Sequence, residues 1–234
     1  MAIRKHPFEI GQYYHVYNRG VDKRDVIMEE YDLDRFMLSV IEFNTVNPIG
    51  SIFENKFKKS KNKKNQNPHL ETGCPSGQGD NDASYRLVDV VAYCVNPNHY
   101  HFLLTPLVDK GIERFMQRLG VGYTKYFNEK YKRSGVLFQG RFKSKHIDSD
   151  GYLMHVSAYI NMNNRDSLGH PVSKLSASSF WEYVGFVPGE KYGKFCSKKV
   201  ILDQIGDSGQ YLEFSRKAWA ETLIRKTIEE GFEL

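Results

Sequence analysis

The chain has 234 residues, 40% of them hydrophobic, which is enough for one sizeable domain or a domain with an appendage. Its 33 Lys and Arg against 28 Asp and Glu leave a formal net charge of +5, which admits a nucleic-acid partner without requiring one. Three widely spaced cysteines, Cys74, Cys94 and Cys196, with no CxxC pair, exclude a disulfide framework and a zinc ribbon. No apolar run approaches the ~20 residues that span a bilayer. Met1-Ala2-Ile3-Arg4-Lys5-His6 lacks an apolar signal core. A soluble cytoplasmic protein with no membrane partner is therefore expected. The 15 Tyr and 15 Phe offer stacking surfaces as well as core.

Tyr13-Tyr14-His15-Val16-Tyr17-Asn18-Arg19, aromatic and β-branched and stopped by Gly20, reads as a first strand. Leu33, Phe36, Met37, Val40 and Ile41 recur at helical spacing between Tyr31 and Phe43. From residue 55 to 84 six lysines are followed by Asn, Gly, Ser, Pro and Asp with almost nothing apolar, which predicts a flexible Lys-rich insertion. Val88–Val95 and His99–Pro106 read as two strands joined by an Asn-Pro-Asn turn. A long helix follows over Gly111–Tyr131, then an exposed strand over Phe138–Ile147. A second helix starts at Asp148 or Ser149 and runs to about Asn164. Past Gly169 the chain is loop-rich through Trp181, Tyr183 and Phe186, with Trp181 read as packing. It ends in a helix over about Tyr211–Glu230.

The order strand, helix, strand, strand, helix, strand is the ferredoxin-like arrangement: an α+β fold in which an antiparallel sheet carries helices on one face and leaves the other face free. A flexible insertion and a helical C-terminal extension complete the expected architecture. That arrangement hosts many functions, so the chemistry has to come from particular residues.

Strand side chains alternate between faces, so His99 and His101 present two imidazoles on one face of the sheet. Imidazole is a common ligand of first-row divalent ions. On the second helix Tyr152, His155, Tyr159 and Asn163 stand at i, i+3, i+7 and i+11, beside an apolar stripe of Leu153, Val156 and Ile160. Two imidazoles and the Asn163 amide oxygen could hold one divalent cation with coordination positions open, and Tyr159 would then reach a phosphodiester bound there. A phenol is a poor nucleophile at neutral pH because its pKa is ~10. An ion that polarises the phosphate and stabilises the departing oxygen makes the attack feasible. The product would be a phosphotyrosine link to DNA, which stores the bond for rejoining. Taken singly, the histidines also read as half-exposed strand residues and the helix as a core edge with solvated polar neighbours.

Four segments occur in order: Tyr14-His15-Val16-Tyr17-Asn18-Arg19-Gly20, Asn96-Pro97-Asn98-His99-Tyr100-His101-Phe102-Leu103-Leu104, Phe138-Gln139-Gly140-Arg141-Phe142-Lys143 and Tyr159-Ile160-Asn161-Met162-Asn163. Together they resemble the single-tyrosine transposases of the HUH (His-hydrophobe-His) class, in particular the REP-associated tyrosine transposases. The resemblance runs from about residue 8 to residue 187, interrupted by the insertion. It implies a metal-dependent endonuclease and strand transferase on single-stranded DNA, often hairpin DNA, working through a 5′-phosphotyrosine with Mg²⁺ or Mn²⁺. By motif, His99, His101 and Asn163 would be metal ligands and Tyr159 the nucleophile. Tyr100 fills the usual hydrophobic slot. Relatives commonly read Tyr-Ile-His-Leu-Asn-Pro after the nucleophile, where this chain has Asn161 for the His and Asn164 for the Pro. His15 is read as structural.

DNA contacts are expected from Arg19, Lys23 and Arg24 after the first strand and from Arg114, Arg118 and Lys125 on the long helix. The Arg141, Lys143 and Lys145 row is expected to contribute most. Residues 8–168 would form the nuclease domain and 169–234 the extension, in a monomer or a homodimer. Two other classes stay open. One is a ferredoxin-like nucleic-acid-binding protein without catalysis that stacks bases on its sheet. The other is a metal-dependent phosphoesterase that uses water.

Overall fold

The computed structural model describes residues 7–52, 86–166, 168–185, 192 and 195–231, with side chains to residue 225. The Lys-rich stretch and Phe186 lie outside them. The elements are β1 (Tyr13–Arg19), α1 (Glu30–Phe43), β2 (Val88–Val95), β3 (His99–Pro106), α2 (Gly111–Lys130), β4 (Lys143–Ile147), α3 (Asp150–Met162), β5 (Ala177–Ser178), α4 (Phe180–Tyr183), α5 (Lys199–Ile205) and α6 (Ser208–Gly231). The strands form one sheet in the order β4-β1-β3-β2-β5, with every neighbouring pair antiparallel. No helix among the described residues is long and apolar enough to cross a membrane.

The fold is α+β, and α1 and α2 lie on one face of the sheet as expected. Tyr14 and Val16 of β1, Val88, Val90, Tyr93 and Val95 of β2, and Tyr100, Phe102 and Leu104 of β3 bury against Leu33, Phe36 and Met37 of α1 and Ile112, Phe115 and Tyr123 of α2. A Phe→Ala change in such a core costs about 3–5 kcal/mol. An exposed ion pair such as Arg24–Asp22 contributes at most ~1 kcal/mol, so apolar burial decides this face.

The opposite face is not free. β2 shifts register between Val90 and Ala92, so Val91, Ala92 and Cys94 turn to that side and join Leu103 and Ile147. This second apolar patch is covered by Leu153, Val156 and Ile160 of α3, then by Tyr183, Ile201 and Tyr211 from the C-terminal segment. The extension is therefore part of the same packed body.

One start differs from the expectation and one agrees with it. β4 begins at Lys143 rather than Phe138, because Gly140 turns at φ 70° and Phe138 makes only an isolated bridge to Gly20. α3 runs over Asp150–Met162, with Ser149 Oγ accepting the Tyr152 N–H at 3.4 Å as its N-cap.

Candidate active site

Three of the four sequence segments meet where β3 begins. The Gly20 N–H donates to the Asn98 carbonyl at 2.7 Å, and the Val26 and Ile27 N–H groups donate to the Pro97 carbonyl at 2.7 and 2.9 Å. Asn18 Nδ2 donates to the Gly140 carbonyl at 3.2 Å, and the Gln139 N–H to the Arg19 carbonyl at 2.8 Å. The turn before the histidines is thus fixed by the backbone of residues 20–27, and the Gln139–Gly140 stretch in turn holds the end of β1.

Asn98 Nδ2 donates to the Lys23 carbonyl at 3.2 Å, which turns Asn98 Oδ1 toward His99 Nδ1 at 2.6 Å. That oxygen can only accept, so Nδ1 carries the ring proton and Nε2 carries the lone pair. His99 Nε2 lies 3.0 Å from Asn163 Oδ1, and Asn96 Nδ2 lies 3.0 Å from each of them. Two acceptors thus converge on one point, bridged by a single amide, while no donor among the described residues meets the buried Asn96 Oδ1.

That excess of acceptors fits a divalent cation. Octahedral ligands at about 2.1 Å from Mg²⁺ stand about 3.0 Å apart when adjacent, the separation of His99 Nε2 and Asn163 Oδ1. His99, His101 and Asn163 are the donors that would hold it. No group of three or more His, Cys, Asp or Glu side chains suited to an ion occurs among the described residues, so the set needs Asn163.

His101 lies beside His99, ring centroids 5.2 Å apart, and its Nδ1 is 2.8 Å from His15 Nε2. Burial, with Lys145 adding to it, pushes His15 down to about 4, so its ring is neutral at physiological pH. Tyr159 stands edge-on to this pair, its ring 5.7 Å from His101 and 6.1 Å from His15. Burial raises the Tyr159 hydroxyl above the ordinary phenol value, while a hydrogen bond with the Asn163 side chain pulls it back. Beyond Tyr159 lie Met162, Phe180 and Trp219, with the Trp219 ring 6.3 Å away.

The helical face read from sequence is only half used. Tyr159 and Asn163 reach the histidines, but Tyr152 lies under the Lys145 ammonium at 4.8 Å and exposed His155 faces Phe214 at 5.2 Å. Asn161 points away from the site into α3's other side. Its Nδ2 donates to Tyr211 Oη at 2.7 Å, and its Oδ1 accepts from Ser179 Oγ at 2.5 Å. The departure from the common His is thus a buried link to the extension.

Register decides where the candidate DNA contacts lie. Lys143 is opposite Tyr17 and Lys145 opposite His15, while Arg19 is opposite His99, so all three share the face of the histidines. Arg19 Nε also donates to Gln139 Oε1 at 2.5 Å. Lys23 and Arg24 follow β1, with Arg24 on Asp22 at 3.2 Å. Exposed Arg141 precedes β4 instead of alternating along it. Arg114 and Arg118 are not brought to the site: α2 lies on the opposite face, and the two guanidiniums hold the Val46 and Thr45 carbonyls past the end of α1. Sequence reasoning missed Asn96 and Asn98, whose only signal is the Asn-Pro-Asn turn, and the contact of His15 with His101.

Residues 82–163 match the family model described as IS200-like transposase. The segment contains His99, His101, Tyr159 and Asn163 and three of the four motifs; Tyr14–Gly20 lies outside it. Over this segment the resemblance is borne out. No curated protein matches the chain. Among solved structures, that of a REP-associated tyrosine transposase bound to a REP hairpin is similar, with a TM-score of 0.45 and 15% identity over 80% of this chain and 89% of that one.

Proposed function

We propose that this chain, which carries an IS200-like transposase segment over residues 82–163, is a metal-dependent single-stranded DNA endonuclease and strand transferase. The observation that carries this reading is the meeting of Tyr159 and Asn163 from one helix with His99 and His101 from one strand. An Mg²⁺ or Mn²⁺ ion held by His99, His101 and Asn163 would polarise a phosphodiester and steady the departing oxygen. Tyr159 supplies the nucleophilic oxygen. Its proton leaves, a P–O bond forms to the tyrosine, the P–O3′ bond breaks, and the departing oxygen gains a proton as a free 3′-hydroxyl. The 5′-phosphotyrosine keeps the bond for reversal onto a second 3′-hydroxyl. Met162, Phe180 and Trp219 beside Tyr159 exclude water from one side of that link, which favours rejoining over hydrolysis.

Arg19, Lys143 and Lys145 would track the single strand across the face of the histidines, with Lys23, Arg24 and Arg141 at its margin. Hairpin DNA in the cytoplasm is the proposed substrate, handled by a monomer or a homodimer. Residues 8–168 are the proposed nuclease domain, and 169–234 the extension that braces α3.

The test is a denaturing gel of protein, Mn²⁺ and labelled single-stranded hairpin oligonucleotides. A protein–DNA adduct that disappears in Tyr159→Phe is expected. Cleavage with no adduct would mean hydrolysis by water, binding with no cleavage would mean a non-catalytic binder, and an adduct surviving in Tyr159→Phe would move the nucleophile elsewhere.

A further inference from the structure

We propose that His15 is a positioning residue that fixes the tautomer of His101, so that His101 offers its Nε2 lone pair beside that of His99. The inference rests on the reading of His99, His101 and Asn163 as ion ligands. The contact is a hydrogen bond between two ring nitrogens, His15 Nε2 and His101 Nδ1, at 2.8 Å. One nitrogen must carry the hydrogen and the other accept it. If His101 donates, its Nε2 bears the lone pair, as in His99, whose Nδ1 donates to Asn98 Oδ1. If His15 donates, the hydrogen of neutral His101 sits on Nε2 and the ring offers nothing to an ion. A ligating imidazole ordinarily gives its other N–H to a fixed acceptor, and loss of that acceptor typically costs 10–100-fold in metal affinity.

Geometry separates this role from simple packing. In the β1–β3 register Tyr17, not His15, is directly opposite His101; His15 is opposite Leu103 and reaches His101 along the diagonal. The His15 and His101 rings lie 5.1 Å apart at 26°, and Tyr17 lies 5.7 Å from His101 at 25°. Tyr17 already supplies an aromatic neighbour. What His15 adds is an acceptor at Nε2.

Two variants separate the roles. His15→Phe keeps a ring and loses the acceptor, whereas His15→Gln loses the ring and keeps an acceptor in its amide oxygen. The readouts are the ¹⁵N imidazole spectrum of the metal-free protein, with the His101 signals assigned by their loss in His101→Ala, and Mn²⁺ affinity by calorimetry. The expected result is the Nδ1–H tautomer of His101 in the parent protein and in His15→Gln. Mn²⁺ binding should be weakened about 10–100-fold in His15→Phe and largely kept in His15→Gln. An Nε2–H tautomer of His101 in the parent protein overturns the proposal, as does normal Mn²⁺ binding by His15→Phe. A parent protein that shows the Nδ1–H tautomer yet binds no Mn²⁺ sinks the ion-ligand reading, and with it the role of His15 toward the ion, while leaving the tautomer assignment standing.

Discussion

At Gly20 a Cβ would stand 2.1 Å from the Arg24 carbonyl oxygen, while the backbone itself is relaxed at φ −58°. The demand for glycine is therefore a matter of space. Its N–H holds the Asn98 carbonyl, and Asn98 in turn sets the proton on His99. Gly20→Ala should push the loop off β3 and cost about 1–3 kcal/mol, read as a lower urea midpoint with an unchanged slope; an unshifted midpoint would refute this account. The histidine pair, Tyr159 and Asn163 were legible in the sequence because strands repeat every two residues and helices every 3.6. Asn98 and His15 were not, because their roles depend on which strand lies beside which: His15 and His101 are 86 residues apart.

Among the elements, the short strand β4 shows most plainly how register creates a site. Sequence alternation grouped Arg141 with Lys143 and Lys145, but pairing with β1 begins only at Lys143 and puts the two lysines on the face of the histidines. If that strand edge tracks single-stranded DNA, changing both lysines to Gln should lower the dependence of log affinity on log salt by about 1.4, at roughly 0.7 per phosphate. Arg114→Gln and Arg118→Gln should leave that slope alone and lower stability instead, because their guanidiniums hold carbonyls past α1. Equal slopes for the double lysine variant and the two arginine variants, measured by anisotropy titration, would show that the strand is not the track. The long helices were readable from their apolar stripes. The two-residue β5 was not, nor was α3's burial on nearly all sides, because both depend on what the extension brings against them: Ser179, after β5, accepts the Tyr93 N–H at 2.9 Å, and Tyr211 meets Asn161.

For the molecule as a whole, the candidate site lies on one face of the sheet and a buried carboxylate cluster on the other. On the α1/α2 side the fully buried Asp32 carboxylate accepts the Met28 N–H at 2.9 Å and the Tyr126 and Tyr131 hydroxyls at 2.7 and 2.6 Å, and pairs with Lys130 at 2.6 Å. Burial alone would raise its pKa, but Lys130, then the two tyrosines and the backbone donor, more than offset this and hold it below the ordinary carboxylate value. The sign follows: a depressed folded-state pKa contributes stability that is complete above the unfolded value of about 3.9 and is lost as pH falls through the folded value. Urea midpoints should therefore be flat in this contribution at neutral pH and fall below about pH 4. Asp32→Asn should be less stable at pH 7, and its deficit should shrink as the pH drops toward 3. A deficit that stays constant with pH would remove Asp32 from the acid response. Because this carboxylate lies across the sheet from Tyr159, Asp32→Asn protein that is still folded at pH 7 should form the proposed Tyr159 adduct at the parental rate. A loss of adduct beyond the unfolded fraction would mean that the two faces are coupled through β3, the strand that carries both the core aromatics and the histidines.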